Sequence, residues 1–421
     1  MKPRLHVLSE LYYPDDSATG YILTRIAEGL ALSYDVHVLS GYGTARTGAV
    51  QLPARERRNG VLIDRCSSTL FNKNVVVLRT LNLLTISLSI FWQSIRTVRH
   101  GDVVLVVTNP PSLPFAAFLA ARLRRARCVL LIHDVYPEVL FATGLLRPGS
   151  WMAAILGWLN KRLCRRVERI VVLGRDMKRL IDRKLGANVG GTTIITNWAD
   201  ADVISPTPRN ANRLLEKTSL QEKFVVQYSG NMGRTHGLEV ILDVAARLEE
   251  EPLFHFLLIG SGAKLKGVEA SLSVSRLNNV TILPPQSREE LVDTLNACDV
   301  AIISFIPGIA GISVPSRMYN VMAAGKPIIA VADDDSELGI VVREEKIGWV
   351  VPPNDTMALL ATIRNAQAKS KELNEMGRRA RAVALKYSLE RVLRSYQELL
   401  ESLVNDGLAS RQTDVGQMDH V

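Results

Sequence analysis

Short β-branched apolar runs recur along the whole chain and alternate with stretches in which apolar residues return every three or four positions. Runs of three to six, interleaved with a 3.6-residue period, are the pattern of parallel strands joined by crossover helices. A first series predicts strands at His6–Leu8, Val36–Leu39, Val61–Arg65, Val103–Thr108, Cys128–His133, Ile170–Leu173 and Thr193–Thr196. A second predicts Val225–Ser229, His255–Ile259, Val280–Leu283, Val300–Ser304, Ile328–Ala330 and Trp349–Val351. Two series predict an α/β chain of two doubly wound domains, which bind ligands beyond the carboxyl ends of their strands.

Between the series, 197–221 holds Asp200, Asp202, Pro206, Pro208, Asn210 and Asn212 without apolar periodicity and reads as a linker. The expected division is a first domain over 1–200, a second over 201–385, a helix over 386–405 that crosses back onto the first, and a polar, frayed tail over 406–421. Helices are predicted over 355–368, 370–386 and 388–403. No internal repeat of fixed period stands out.

The chain has 421 residues, a length that suits two domains of about 200 each. With 47% hydrophobic and 22% charged residues, disordered, collagenous and disulfide-scaffold classes are excluded. Cys66, Cys128, Cys164 and Cys298 form no CxxC pair, so a zinc site is not expected and a reducing cytoplasm is. The amino terminus runs from Met1 directly into a strand, without a leader pattern. The uncharged stretch Thr80–Ile95 is too short to span a membrane and carries Asn82, Thr85, Ser87, Ser89 and Gln93.

Charge divides unevenly. Residues 1–185 carry 27 Lys and Arg against 13 Asp and Glu, while 186–421 carry 24 against 29. A half at +14 joined to a half at −5 suggests two domains with different partners, the basic one facing something anionic. Basic clusters without interleaved aromatics, and without a recognition motif, argue against nucleic acid.

Five segments carry candidate chemistry. Tyr228-Ser229-Gly230-Asn231-Met232-Gly233-Arg234-Thr235-His236-Gly237 is a strand, a glycine-rich turn and a helix start, where free N–H groups can face an anion. Gly260-Ser261-Gly262 repeats the strand-to-helix turn. Ser313-Val314-Pro315-Ser316-Arg317 opens a helix, and Arg317 offers a forked donor set suited to phosphate oxygens. His133-Asp134 with Glu138 sits at a strand end, a place for sugar contact or proton handling. The loop from Tyr12 to Gly20 is polar and glycine-ended; Ser17 is also a plain N-cap candidate.

Together, YYPDDSATG, TNPPSLP, HDVYPE, TNWAD, YSGNMGRTHGLE, IGSGAKL, VPSRMYNVMAAGKP and SELG…GWVVPPND resemble the GT-B glycosyltransferases of family 4, most of all the branch with colanic-acid-type fucosyltransferases and capsule or O-antigen transferases. The likeness runs from about Lys2 to Leu403. It implies the GT-B fold, with two Rossmann-like domains facing a cleft. It implies a retaining enzyme that binds a nucleotide-sugar on the second domain and the acceptor on the first, with no metal and no cofactor. It assigns His133 to the donor sugar, Arg317 and Gly230 to the diphosphate, and Gly20, Asn231, His236, Gly260, Ser316, Asn320 and Glu337 to the donor site. Asn320 stands where many members have a glutamate that meets the ribose, and Ile312 where they have its partner. Asn231 and His236 stand where many have Arg and Lys, which leaves much of the cationic duty to Arg317.

The acceptor side is read from charge and apolar spacing. Leu84, Leu88, Phe91 and Ile95 recur at helical intervals between Arg79 and Arg96, and Lys161 and Arg162 follow Trp151 and Trp158. Such a surface suits the inner face of the cytoplasmic membrane and a polyprenyl-diphosphate-linked or oligosaccharide acceptor; a core-facing helix is the plain alternative. The expected activity is sugar transfer in surface polysaccharide assembly. A nucleotide-sugar epimerase and a non-catalytic scaffold of the same fold are the alternatives.

Overall fold

The computed structural model describes residues 2–42, 52–72, 75–186 and 191–418. Thirteen strands fall where the apolar runs predict them. The first sheet contains β1 (Arg4–Ser9), β2 (Asp35–Ser40), β3 (Arg55–Arg58), β4 (Val61–Arg65), β5 (Val103–Val107), β6 (Arg127–Ile132), β7 (Arg169–Val172) and β8 (Thr192–Ile194). Their order is β3-β4-β2-β1-β5-β6-β7-β8, and all pairs are parallel except β3 with β4. The second sheet contains β9 (Phe224–Ser229), β10 (Phe254–Ile259), β11 (Val280–Leu283), β12 (Val300–Ser304), β13 (Ile328–Val331) and β14 (Gly348–Val351), ordered β11-β10-β9-β12-β13-β14 and parallel throughout. The winding reverses between β1 and β5 in one sheet and between β9 and β12 in the other. Crevices at the carboxyl ends of these strands are where such sheets hold ligands.

β3 has no counterpart in the apolar pattern, because Arg55, Glu56, Arg57 and Arg58 are all charged. Cross-strand ion pairs from Arg55 to Asp64 and from Arg65 to Glu56 hold it at the sheet edge. A charged edge of this kind also blocks pairing with a foreign strand.

Six helices cover the first sheet: α1 (Ala18–Leu30), α2 (Val76–Thr97), α3 (Leu113–Leu123), α4 (Glu138–Ala142), α5 (Trp151–Cys164) and α6 (Arg175–Leu185). Ser17 does cap α1, accepting the Gly20 N–H at 3.2 Å. The second half contributes α7 (Arg213–Thr218), α8 (Glu239–Arg247), α9 (Leu265–Ser275), α10 (Leu291–Asn296), α11 (Arg317–Ala323), α12 (Glu337–Glu344), α13 (Thr356–Ala368) and α14 (Ser370–Ala384). The linker is not wholly irregular. Asn212 caps α7 through the Leu215 N–H, and Leu214 and Leu215 are buried, so a short helix forms inside it.

The last helix, α15 (Leu389–Met418), returns to the first domain. Val392, Tyr396, Leu399, Leu400 and Leu403 are buried along it. Leu393 fills the space over Gly29 of α1, where an added Cβ would stand 2.3 Å from its Cδ1. The helix runs on through Met418, past the point where the polar composition predicts fraying; 419–421 lie outside the described residues.

The two halves also meet at the cleft. Asp134 and Ser313 form an isolated bridge, and the Val135 N–H donates to the Ile312 carbonyl at 2.9 Å. Asp176 Oδ2 accepts the N–H groups of Gly311 and Glu337, each at 2.9 Å. Among the described residues no helix is long and apolar enough to cross a membrane. All four cysteines are unpaired.

Candidate functional site

A cavity of about 610 Å³ opens between the domains at the two reversal points, lined by Tyr21, Asp200, Gly230, Arg317 and Asn320 among others. One end of it is built by close approach of backbone. Gly230 has φ +143, and a Cβ there would meet Arg317 Cζ at 2.9 Å. Gly260, at φ +147, lies against it: a Cβ would come within 1.9 Å of the Gly230 carbonyl oxygen. Only glycine fits either position.

Arg317 heads α11 and reaches over this loop. Its guanidinium carbon lies 4.8 Å from the Tyr228 ring centroid, and its Nη2 donates to His236 Nε2 at 2.6 Å. Longer contacts of 3.4 Å run to the carbonyl oxygens of Ser229 and Asn231. These partners are a ring face, an imidazole and two carbonyls, none of them anionic. A cation held this way has its charge left to offer to a ligand.

His236 plays a different part from the one its place in the motif suggests. It is buried, stacks on Phe305 at 5.3 Å and 22°, and stands edge-on to Tyr228. Burial, aided by Arg317, pushes its pKa down to about 2. The ring is neutral, so Nε2 accepts from Arg317 and adds no charge. Lys264 is a cation that the sequence reading missed. Its Nζ donates to the His236 carbonyl at 2.7 Å and pairs with Glu239 at 2.8 Å. Its signal was its position, two residues beyond Gly262 in the second glycine turn.

Asn231 contributes through its backbone: its carbonyl accepts the Tyr228 hydroxyl at 2.6 Å while the residue itself is exposed. Ser316 occupies the N-cap position of α11 and lines the cavity. Asn320, one turn beyond Arg317, uses Oδ1 to accept the Asp200 N–H at 3.1 Å. Asp200, also missed, accepts the Tyr21 hydroxyl at 3.0 Å and the Trp198 indole N–H at 2.9 Å, both on Oδ1.

On the first domain, Gly20 lies in the first turn of α1, where a Cβ would press to 2.7 Å from the Asp15 carbonyl. It shapes the loop whose neighbours Ala18 and Tyr21 reach the cavity. His133 follows β6, with Nδ1 3.5 Å from Thr19 Oγ1 and Nε2 shut from solvent with no partner among the described residues. Desolvation lowers its pKa to about 4, so the imidazole is neutral and its ring nitrogen awaits a hydrogen bond.

Glu337 is not brought into the cavity. Its carboxylate accepts the Arg175 N–H at 2.7 Å and the Arg175 Nε at 3.1 Å, and so ties α12 to α6 across the domains. Arg79, Arg96, Lys161 and Arg162 lie exposed on α2 and α5, outside the cavity. The predicted stripe of Leu84, Leu88, Phe91 and Ile95 is not the core-facing side of α2, which Ile86 and Ile90 take instead. Ile86 and Ile90 point into the core, Phe91 and Ile95 are half-buried, and Leu84, Leu88 and Trp92 are each at least half exposed. On α5, Trp151 and Trp158 are exposed by 73% and 59%, and Arg162 lies 5.3 Å from the Trp158 ring. Among the described residues no group of three or more His, Cys, Asp or Glu is placed to hold a metal ion.

The chain matches two family descriptions, a glycosyl transferase 4-like domain over 18–198 and glycosyl transferases group 1 over 212–383. It is 30% identical to the probable glycosyltransferase WbjE of Pseudomonas aeruginosa, over 86% of this chain and 88% of that one. It is 28% identical to the putative colanic acid biosynthesis glycosyl transferase WcaI of Escherichia coli K12, over 68% and 69%. In fold it is similar to sucrose-phosphate synthase from Thermosynechococcus elongatus, with a TM-score of 0.78 at 16% identity, covering 96% of this chain and all of that one. It is also similar to Anabaena HepE in complex with UDP-glucose, with a TM-score of 0.70 at 14% identity, covering 94% and 99%. Both halves of the cleft thus fall within matched segments, and the chain belongs to the family-4-like glycosyltransferases of GT-B fold.

Proposed function

We propose that the protein transfers a sugar from a nucleotide-sugar to a glycan or polyprenyl-diphosphate-linked acceptor in bacterial surface polysaccharide synthesis, with retention at the anomeric carbon. The observation that carries this reading is Arg317 poised over Gly230 in the interdomain cavity, with no anionic partner among the described residues. As the bond from the anomeric carbon to the diphosphate oxygen breaks, its electron pair stays on that oxygen, and Arg317 with the N–H groups of the glycine turn meets the new charge. The acceptor hydroxyl attacks from the same face, and its proton passes to the departing phosphate oxygen. No cofactor takes part, the nucleotide-sugar being a substrate. The partnerless Nε2 of His133 supports a contact to the donor sugar.

The apolar and basic face of α2 and α5 supports peripheral association with the inner leaflet of the cytoplasmic membrane, where a lipid-linked acceptor would be met. The names of WbjE and WcaI support the polysaccharide setting. Incubation with a panel of nucleotide-sugars and bacterial lipid extract tests the whole reading. Release of one nucleoside diphosphate that requires both its donor and the lipid is the expected result. Binding of a nucleotide-sugar without turnover would favour a non-catalytic scaffold, and free altered sugar an epimerase.

A further inference from the structure

Resting on the proposed function, we infer that Asp200 is the group that binds the ribose diol of the nucleotide, with Asn320 as its partner. A nucleoside diphosphate whose phosphates lie at Gly230 and Arg317 must place its ribose beside them. Asn320 stands one helical turn from Arg317, about 5 Å along α11. Asp200 is bonded to it, and both line the same cavity.

The hydrogen-bond inventory decides which group does what. Two vicinal hydroxyls are best held by a carboxylate, which accepts from both. Two carboxylates line this cavity, Asp16 and Asp200. Asp16 is 89% exposed at the rim and faces Arg288 at 3.6 Å. Asp200 is the inner one. Tyr21 and Trp198 both donate to its Oδ1, which fixes the plane of the carboxylate. Among the described residues no donor reaches Oδ2, which remains to accept from a ligand. Asn320 spends its Oδ1 on the Asp200 N–H and keeps an amide NH₂ to donate. The pair therefore presents one acceptor and one donor side by side, a match for hydroxyls that each give and take a bond. Asp200 belongs to the linker and Asn320 to the second domain, so the diol is held at the joint between the halves.

The test is calorimetry on the full chain with UDP, GDP, ADP and CDP, followed by the tightest of these against its 2′-deoxy form. Asp200→Asn keeps an oxygen for Tyr21 and Trp198 and has the same shape, so the fold is retained. It should weaken the ribonucleotide about 10- to 100-fold and the deoxy form, which keeps only the 3′-hydroxyl, by clearly less, narrowing the preference between them. Asn320→Glu alone sets two carboxylates together and should weaken binding too. The double variant D200N/N320E, with the charge moved across the pair, should recover part of the preference. If the preference survives Asp200→Asn intact, the assignment to Asp200 is overturned while the transferase reading stands. If none of the four diphosphates binds, the donor site itself is wrong and the inference goes with it.

Discussion

Arg317 and His236 act as one device at the scale of single residues. A neutral imidazole accepts from the guanidinium and fixes where its remaining donors point, so the cation is oriented without being neutralised. Arg317→Ala should lower kcat/KM by about 100-fold or more with the thermal midpoint little changed, measured as nucleoside diphosphate release. His236→Gln keeps an acceptor and should lose far less than His236→Leu, chiefly in kcat. Equal losses in the two variants would show that His236 serves packing alone. The turns at Gly230 and Gly260 and the helix opening at Arg317 were legible as strand-to-helix junctions, a pattern that a plain βα turn shares. Asp200 and Lys264 were not. A linker aspartate and a lysine after a turn are common, and only the folded chain sets one beside Asn320 and the other on the His236 carbonyl. Glu337 shows the converse: a position that resembles a donor contact is taken by Arg175.

At the scale of elements, α2 and α5 leave large side chains in water that a helix packed on one sheet would hide. Exposed tryptophans flanked by Lys161 and Arg162 fit the interfacial region of an anionic bilayer. Vesicles containing anionic phospholipid should bind the protein at low salt and release most of it in about 0.5 M salt. Replacing Trp151 and Trp158 together by aspartate should reduce binding about 10-fold or more without altering nucleotide affinity. Unchanged vesicle binding by that variant would remove α5 from the contact. The strands were legible because nearly all are buried on both faces and read as continuous apolar runs. β3 was not, since its four charged residues owe their extended form to partners on β4. The orientation of α2 was legible only in part, since its inward positions include Ser87 and Ser94 and its outward ones Leu84 and Trp92.

Taken as a whole molecule, the chain hides several histidines in neutral form. Burial lowers the pKa of His37, His133 and His255 to about 4, against 6.5 for an unfolded histidine, and of His236 further still. Between pH 4 and 6.5 the unfolded chain binds more protons, so this contribution to stability is complete above about pH 6.5 and drains as pH falls. The thermal midpoint should drop by more than about 3 °C from pH 7 to pH 5, and His255→Gln should flatten that slope. A slope untouched in that variant would assign the acid sensitivity elsewhere. The two-domain plan was the most legible level of all, because strand count and alternation depend on local pattern. How the halves meet through Asp134, Asp176 and Glu337 was invisible, since each contact joins residues more than 130 positions apart.

The seat of α15 on α1 also has an order in time. A ribosome makes the first domain, and then the second, before it makes the segment from Leu389 that covers Gly29. Until then the outer side of α1 meets water where Leu393 will stand. The first domain is thus the earliest part of the molecule to emerge and the last to be finished, and a chain that stops short of Leu389 would carry both sheets yet leave its oldest domain uncovered.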